Sequence, residues 1–195
     1  MPSLSESSLP CLKPARIPRG SRILILGDEE SGKTTLVKDL IRRRNLRDGY
    51  VHTCSPAEWE LDNMVTLLSL RENIVKEKFL RLIPHHNFVV LEDRVDIREI
   101  SNEIILNDSI KDLILIRTPL EYFDNIGMGL QWCDYIFLGK HSNPDLKPIL
   151  WNFTGCYFKQ EDIREYEFLV LGVGRGDQGC YQYKVEMQLK PGINH

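Results

Sequence analysis

The sequence predicts an α/β fold, a three-layer sandwich with a mainly parallel central sheet and an antiparallel hairpin at its C-terminal edge. From Ser21 onward, short apolar runs alternate with longer segments of helical spacing, which is the order of elements in β-α-β units. The last segment differs, because apolar and polar residues alternate strictly from Tyr181 to Leu189, as on a half-exposed edge strand. A length of 195 residues fits one such domain.

The predicted strands are short and rich in branched apolar residues. The first ends at Gly27 and is apolar along most of its length, so we predict that it lies in the centre of the sheet. The final strand is predicted to pair with the sixth as a hairpin. In chain order, the six earlier strands cover residues 22–26, 49–54, 87–91, 113–116, 135–138 and 167–173.

Two helices have clear sequence signals. Residues 33–44 carry apolar side chains at helical spacing, namely Leu36, Val37, Leu40 and Ile41. Ser55-Pro56-Ala57-Glu58 has the serine, proline and glutamate of a capping box, which predicts a second helix. Its buried face would consist of Leu61, Met64, Val65 and Leu68. Helical patterns also cover residues 71–83 and 96–107.

The N-terminal segment, residues 1–20, is predicted to be a flexible arm ahead of a folded domain of residues 21–195. It contains four prolines and several serines, which do not favour regular structure. Basic residues occur in it without an apolar core, so it is not a secretory signal.

Composition excludes several classes of protein. The net charge of −3 gives no global attraction to nucleic acid, so any DNA contact must come from a local patch. No run approaches the roughly 20 apolar residues of a membrane span. The five cysteines are widely spaced and odd in number, which indicates free thiols in the cytosol or nucleus rather than structural zinc.

Residues 27–34 form the pattern Gly-x-x-x-x-Gly-Lys-Thr between a predicted strand and a predicted helix, the context of a phosphate-binding P-loop or Walker A motif. The glycines allow backbone N–H groups to surround the phosphates, and the helix adds its positive N-terminal end. Lys33 would contact the β- and γ-oxygens, and the Thr34 hydroxyl would bind Mg²⁺. The residues predicted to bind ATP or a related triphosphate are Gly27, Asp28, Glu29, Glu30, Ser31, Gly32, Lys33, Thr34 and Thr35. Glu29 and Glu30 are expected to face solvent, because carboxylates repel phosphate.

An acidic pair supplies the predicted hydrolytic half of the site. Glu92 and Asp93 directly follow the apolar run Phe88-Val89-Val90-Leu91. We predict that Glu92 holds Mg²⁺ through water and that Asp93 is the base that orients the attacking water. The more usual order is aspartate followed by glutamate, so the order is reversed here.

Two other patterns have competing interpretations. Gly172-x-Gly174-x-Gly176-x-x-Gly179 has the spacing of a dinucleotide fingerprint, but it lies between two strands and opens no helix. A hairpin loop is therefore favoured. The triplet Arg42, Arg43 and Arg44 is interpreted as a solvated helix end, with a nucleic-acid patch as the alternative.

The order of later segments resembles one family of P-loop proteins. From about residue 21 to 173, the chain is similar to the genome-packaging ATPases of large DNA viruses. The segments that carry this resemblance are Leu113-Ile114-Leu115-Ile116-Arg117-Thr118, Asp134-Tyr135-Ile136-Phe137, Tyr157-Phe158-Lys159 and Tyr166-Glu167-Phe168-Leu169-Val170. These are the poxvirus-type members of the FtsK–HerA superfamily, with relatives in polinton-like transposons.

The resemblance implies an ATP- and Mg²⁺-dependent motor that forms a ring homo-oligomer and moves double-stranded DNA into a viral capsid or through its portal. It places such a protein in the host cytoplasm or nucleus, or in the virion. By position, the catalytic residues would be Lys33, Glu92, Asp93 and Thr118, with Thr118 as the sensor of the γ-phosphate. Pro119 replaces the glutamine that usually follows this sensor.

The resemblance also implies an arginine that reaches the neighbouring subunit's nucleotide. Residues 125–133 contain no arginine, which leaves Arg117 or Arg98 as substitutes. Candidate DNA contacts are residues 42–44, Arg47 and the basic N-terminal arm. Two other functions remain open from the sequence: a small-molecule or nucleotide kinase, and a nucleotide-dependent assembly switch with weak hydrolysis.

Overall fold

The computed structural model describes residues 9–53, 55–59, 65–68, 86–92, 112–117, 133–141, 163–174 and 178–186. Within these ranges the chain forms an eight-stranded sheet of order β3-β2-β4-β5-β1-β6-β7-β8. The strands are β1 (Arg22–Leu26), β2 (Gly49–His52), β3 (Val65–Leu68), β4 (Phe88–Glu92), β5 (Leu113–Arg117), β6 (Tyr135–Leu138), β7 (Glu167–Gly172) and β8 (Gly179–Lys184). The first six in chain order run parallel, whereas β7 is antiparallel to β6 and to β8.

This architecture confirms the predicted fold class. β1 lies in the interior of the sheet between β5 and β6, and four of its five residues are buried. β7 and β8 form the predicted edge hairpin, with Gly172 paired with Gly179 at its loop end. Gly172 and Gly179 thus end two paired strands and open no helix, so the dinucleotide interpretation is wrong.

The helix α1 (Lys33–Arg43) begins directly after the phosphate loop. Its apolar side chains at helical spacing pack on the sheet face that carries Ile23 and Ile25, which is the amphipathic arrangement expected of a covering helix. It ends where Asn45 takes a left-handed φ of 51°. The Leu46 N–H then donates to the Ile41 carbonyl at 2.9 Å, closing a Schellman turn.

The predicted second helix is wrong over its later part. The capping-box residues begin only a short 3-10 turn, Pro56–Trp59, and Val65–Leu68 forms a strand parallel to β2. The apolar spacing at these residues fits a helix, but adjacent β2 has backbone groups that a parallel neighbour can pair. Sheet pairing therefore overrides the local pattern. The other predicted helical segments, 71–83 and 96–107, lie outside the described residues.

The prediction of a flexible arm is wrong for residues 9–20. Leu12 and Ile17 are buried and belong to the main apolar cluster. Cys11 forms a parallel bridge with Gln182, and the Leu12 N–H donates to the Gln182 carbonyl at 2.9 Å. The segment thus covers the free edge of β8, and the burial of its two apolar side chains offsets the cost of ordering it.

The arginine triplet at the end of α1 is engaged within the protein. Asp39 accepts hydrogen bonds from Arg42 and from the Tyr183 hydroxyl, and the Arg43 guanidinium lies 3.4 Å from the Glu186 carboxylate. Arg44 has a side chain only 3% exposed, 2.9 Å from the fully buried carboxylate of Asp112. A solvated helix end is therefore wrong for Arg44, which is excluded from any DNA-binding surface.

The buried pair of Arg44 and Asp112 holds three segments together. The same guanidinium nitrogen donates to the Pro18 carbonyl at 2.8 Å, so the pair joins the end of α1, the residue before β5 and the N-terminal segment.

No helix in the described part of the chain has the length and apolar character needed to cross a membrane.

We predict that Asp112→Ala lowers the free energy of unfolding by about 3–5 kcal/mol, because Arg44 would keep a buried charge without its partner. Urea titration followed by circular dichroism measures this. The matched control is Lys184→Ala, which breaks an exposed pair (Lys184 side chain 73% exposed, 3.5 Å from Glu167) and should cost less than about 1 kcal/mol. Equal effects of the two substitutions would contradict the assigned role of Asp112.

Candidate functional site

The candidate site lies at the carboxyl edge of the parallel strands. The chain leaves β1 there to form the phosphate loop. β5 and β6 are the two neighbours of β1 and lie on opposite sides of it. In open α/β sheets, ligands bind at such a point of reversal, outside the carboxyl ends of the strands. The residues predicted from the sequence are therefore at the edge where a ligand is expected.

The Lys33 side chain folds back onto the phosphate loop. The Lys33 ammonium is buried and donates to the carbonyls of Gly27 and Asp28, at 2.7 and 2.6 Å. Neighbouring strands fix the loop's first turn, since the Gly27 N–H donates to the Arg117 carbonyl and the Asp28 N–H to the Lys140 carbonyl. A cation is thus held at the mouth of the loop, where it could exchange carbonyl partners for phosphate oxygens.

The two motif glycines have no room for a side chain. A Cβ on Gly27 would collide with the Ser31 hydroxyl, and one on Gly32 would lie 2.9 Å from Cδ1 of Tyr166. Gly32 also has a left-handed φ of 86°, which other residues adopt at a cost. The buried Ser31 hydroxyl has no hydrogen-bond partner among the described residues. These features fit an anion-binding loop, since a buried donor without a partner is otherwise unfavourable.

The remaining loop residues follow the prediction. Glu29 and Glu30 are exposed, as expected for carboxylates beside a phosphate site. Thr34 and Thr35 occupy the first turn of α1 and are partly exposed.

Glu92 is brought next to Thr34, although the two are 58 residues apart in sequence. The Thr34 hydroxyl donates to Glu92 Oε1 at 3.0 Å. The other carboxylate oxygen accepts the Trp59 indole N–H at 2.8 Å and the Thr53 hydroxyl. The carboxylate is therefore held in one orientation, with Oε1 turned toward the phosphate loop. This pair of oxygens suits Mg²⁺, which binds hydroxyl and carboxylate oxygens and keeps several waters.

Thr53 and Trp59 were not identified from the sequence. Thr53 follows the end of β2, and the neighbouring strand of β2 is β4, so the carboxyl end of each strand is close to the other. Knowing that β2 and β4 are adjacent would have been enough to find Thr53. Trp59 had no such signal, because the capping box favoured a long helix there.

Arg117 and His52 end β5 and β2, the strands on either side of β4, which ends at Glu92. The Arg117 side chain is buried and donates to the carbonyls of Leu91 and Ile116, at 3.3 and 2.7 Å. The burial of this side chain argues against Arg117 as the arginine that reaches a neighbouring subunit's nucleotide. Asp93, Thr118 and Arg98 lie outside the described residues, and their roles stay predictions.

His52 is 7% exposed, and its Nδ1 has no hydrogen-bond partner among the described residues. Burial lowers its pKa below the ordinary value, and the positive charge of Arg117 lowers it further. The neutral imidazole is therefore the form that the folded protein favours.

Solved structures of viral packaging NTPases are among those similar to this chain. B204, the genome packaging NTPase of Sulfolobus turreted icosahedral virus 2, matches in complex with AMPPCP at 13% identity and a TM-score of 0.60, covering 86% of this chain and 99% of that chain. Its complex with ATP-γS matches at 14% identity and a TM-score of 0.58, covering 90% of this chain and 100% of that one. The DNA-packaging ATPase B204 of Sulfolobus turreted icosahedral virus matches at 15% identity and a TM-score of 0.55, covering 88% of this chain and all of that one.

The sequence comparisons add no family assignment: no family model matches the chain, and no protein of curated function does. At 13% to 15% identity the structural likeness shows the fold alone. The chain has the fold of a P-loop NTPase.

We predict that His52 makes the protein less stable in mild acid. The unfolded chain takes up a proton near the ordinary histidine pKa of about 6.5, whereas the folded chain does so only at lower pH. The contribution of neutral His52 to the free energy of unfolding is thus fully present above about pH 6.5 and is lost as the pH falls. Urea titrations at several pH values should show a shallower decline for His52→Gln than for the wild type. Above pH 7.5, where histidine is neutral in both states, the two curves should run parallel, and a parallel course at every pH would contradict the assignment.

Proposed function

We propose that this chain is an ATP-hydrolysing motor that moves double-stranded DNA into a viral capsid and works as a ring of identical subunits. The observation that carries the proposal is the pairing of Thr34 with Glu92 at 3.0 Å beside the buried ammonium of Lys33. It supports a site for a triphosphate and Mg²⁺, and the B204 likeness supports the packaging role.

The residues divide into two groups by what they would do. The loop amides and Lys33 would bind the phosphates, and Thr34 and Glu92 would hold Mg²⁺, which supplies charge neutralisation at the γ-phosphate when bound. Asp93 would accept a proton from the attacking water, and Thr118 would contact the γ-phosphate. Residues 125–133 lack the arginine that would reach the neighbouring subunit's nucleotide, which leaves Arg98 as the candidate, so intrinsic hydrolysis should be slow.

A DNA-binding surface must use the exposed basic residues. In the described part of the N-terminal segment and around the end of α1, the exposed basic residues are Lys13, Arg16, Arg19, Arg42, Arg43 and Arg47. Arg19 and Arg47 lie close to the end of α1, since Arg19 donates to the Arg44 carbonyl at 2.8 Å. That end is about 16 Å from the phosphate loop for an 11-residue helix. DNA phosphates and nucleotide phosphates would thus be bound at opposite ends of α1.

The first test measures hydrolysis of ATP and GTP with and without double-stranded DNA, together with the mass of the assembled species. We expect a ring oligomer whose ATPase is stimulated by DNA, with stimulation that falls steeply as salt is added. Lys33→Ala should lower kcat/KM on the order of 100-fold or more, because it removes the charge that stabilises the transferring phosphoryl group. The matched control is Lys38→Ala, on the same helix but outside the loop, which should retain most activity.

Other outcomes of this test would favour the alternatives. ATP consumption only in the presence of a nucleoside or nucleotide acceptor would indicate a kinase. Tight binding without turnover would indicate an assembly switch. A monomer whose hydrolysis ignores DNA would contradict the motor.

The second test concerns the residues that orient Glu92. Because Trp59 and Thr53 fix the Glu92 carboxylate, Trp59→Phe should raise the Mg²⁺ concentration for half-maximal ATP binding by about 10- to 100-fold, the usual effect of removing such a partner. Fluorescence titration of a labelled ATP analogue with Mg²⁺ measures this. Thr53→Ser keeps a hydroxyl donor and should leave the midpoint unchanged. Equal midpoints for Trp59→Phe and the wild type would show that the indole does not orient Glu92.

A further inference from the structure

The phosphate loop has an aromatic side chain on the side away from Glu92. β7 runs antiparallel to β6, with Leu169 paired with Leu138, so the residues before β7 lie at the same sheet edge as the loop. Tyr166 immediately precedes β7. Its ring atoms Cδ1 and Cε1 lie 2.9 and 3.3 Å from the position that a Cβ on Gly32 would take. The ring therefore borders the loop's second glycine.

Tyr166 is held firmly in this place. Its φ is 59°, a left-handed conformation that costs a non-glycine residue roughly 1 kcal/mol or more. Its carbonyl accepts the Val185 N–H at 3.0 Å, and the next residue, Glu167, donates to the Arg164 carbonyl at 3.1 Å. The ring packs against the main apolar cluster but stays partly exposed. A fixed and partly exposed aromatic surface is thus present next to the phosphate loop.

The direction of a bound nucleotide follows from the charged groups. Glu92 ends β4, two strands from β1 on one side, whereas Tyr166 precedes β7, two strands from β1 on the other. In a P-loop, the lysine and the Mg²⁺-binding hydroxyl contact the β- and γ-phosphates. The γ-phosphate would therefore lie toward Glu92 and Thr34. The ribose and the base would leave the loop on the opposite side, where Tyr166 lies.

We propose that Tyr166 is the surface on which the nucleobase stacks. This inference rests on the proposed function, because it requires that the loop bind a nucleoside triphosphate. Stacking on an aromatic ring accepts any base, since every base has a π face. The site should therefore bind ATP and GTP with similar affinity, in line with the absence of an Asn-Lys-x-Asp guanine-reading motif from the chain.

The test compares binding of three probes by the full-length wild type, Tyr166→Leu and Tyr166→Phe, by isothermal titration with Mg²⁺. The probes are ATP, GTP and inorganic tripolyphosphate, which has the phosphates but no base. We expect Tyr166→Leu to weaken ATP and GTP by the same factor, about 5- to 100-fold, as loss of a stacked base does. Tripolyphosphate binding should not change, and Tyr166→Phe should behave as the wild type with all three probes.

The ratio of ATP affinity to tripolyphosphate affinity is the decisive quantity, because partial unfolding of a variant does not alter it. An unchanged ratio in Tyr166→Leu would overturn the inference, whether the two affinities stay the same or fall together. Weakening of only one of the two nucleotides would also overturn it, because stacking does not select a base. If the wild type binds neither ATP nor tripolyphosphate, the proposed function fails together with the inference. If the wild type binds both and Tyr166→Leu has no effect on their ratio, only the inference fails.

Discussion

The carboxylate of Glu92 joins segments that are far apart in the chain, and the candidate site depends on it. Its two oxygens accept donors from the phosphate-loop helix, from the end of β2 and from the turn that contains Trp59. The three hydrogen bonds replace hydration that the carboxylate loses in the fold. The reversed order of the acidic pair is accommodated at Glu92, since the longer side chain still reaches Thr34 and keeps a second oxygen for Trp59 and Thr53.

The far end of α1 is fastened by different means. There the buried pair of Arg44 and Asp112, and the buried Asp39 with Tyr183, tie the helix to the N-terminal segment, β5 and β8. Burial raises the pKa of the Tyr183 hydroxyl, and its hydrogen bond to Asp39 raises it further, so the phenol remains a donor at neutral pH. The three arginines at residues 42–44, which look like a basic patch in the sequence, therefore each make contacts within the protein.

The sequence predicts the local elements well and the tertiary contacts poorly, for a physical reason. The strand 22–26, the helix after it and the hairpin of the last two strands are confirmed, because each is encoded by the spacing of its own apolar residues. Thr34 and Glu92 were found from motif position, and the fold brings them into hydrogen-bond contact. The strand at Val65–Leu68 and the packed N-terminal segment were missed. Both depend on pairing with strands that are distant in sequence, β2 and β8, and the spacing of nearby residues does not indicate such pairing.

The two flanks of the phosphate loop differ in what a rearrangement would cost. On the hairpin side, Gly32 at the start of α1 borders Tyr166, and Asp39 in its second half accepts a hydrogen bond from Tyr183, so α1 contacts the β7–β8 region at two points. Displacing that side would open the apolar core, at about 25 cal/mol for each Å² exposed. On the β4 side, hydrogen bonds from Thr34, Thr53 and Trp59 hold the Glu92 carboxylate within the described part of the chain, and each contributes roughly 1 kcal/mol net. Under the proposed function, Mg²⁺ and a γ-phosphate would replace the hydrogen bond between Thr34 and Glu92, an exchange that leaves the apolar core in place.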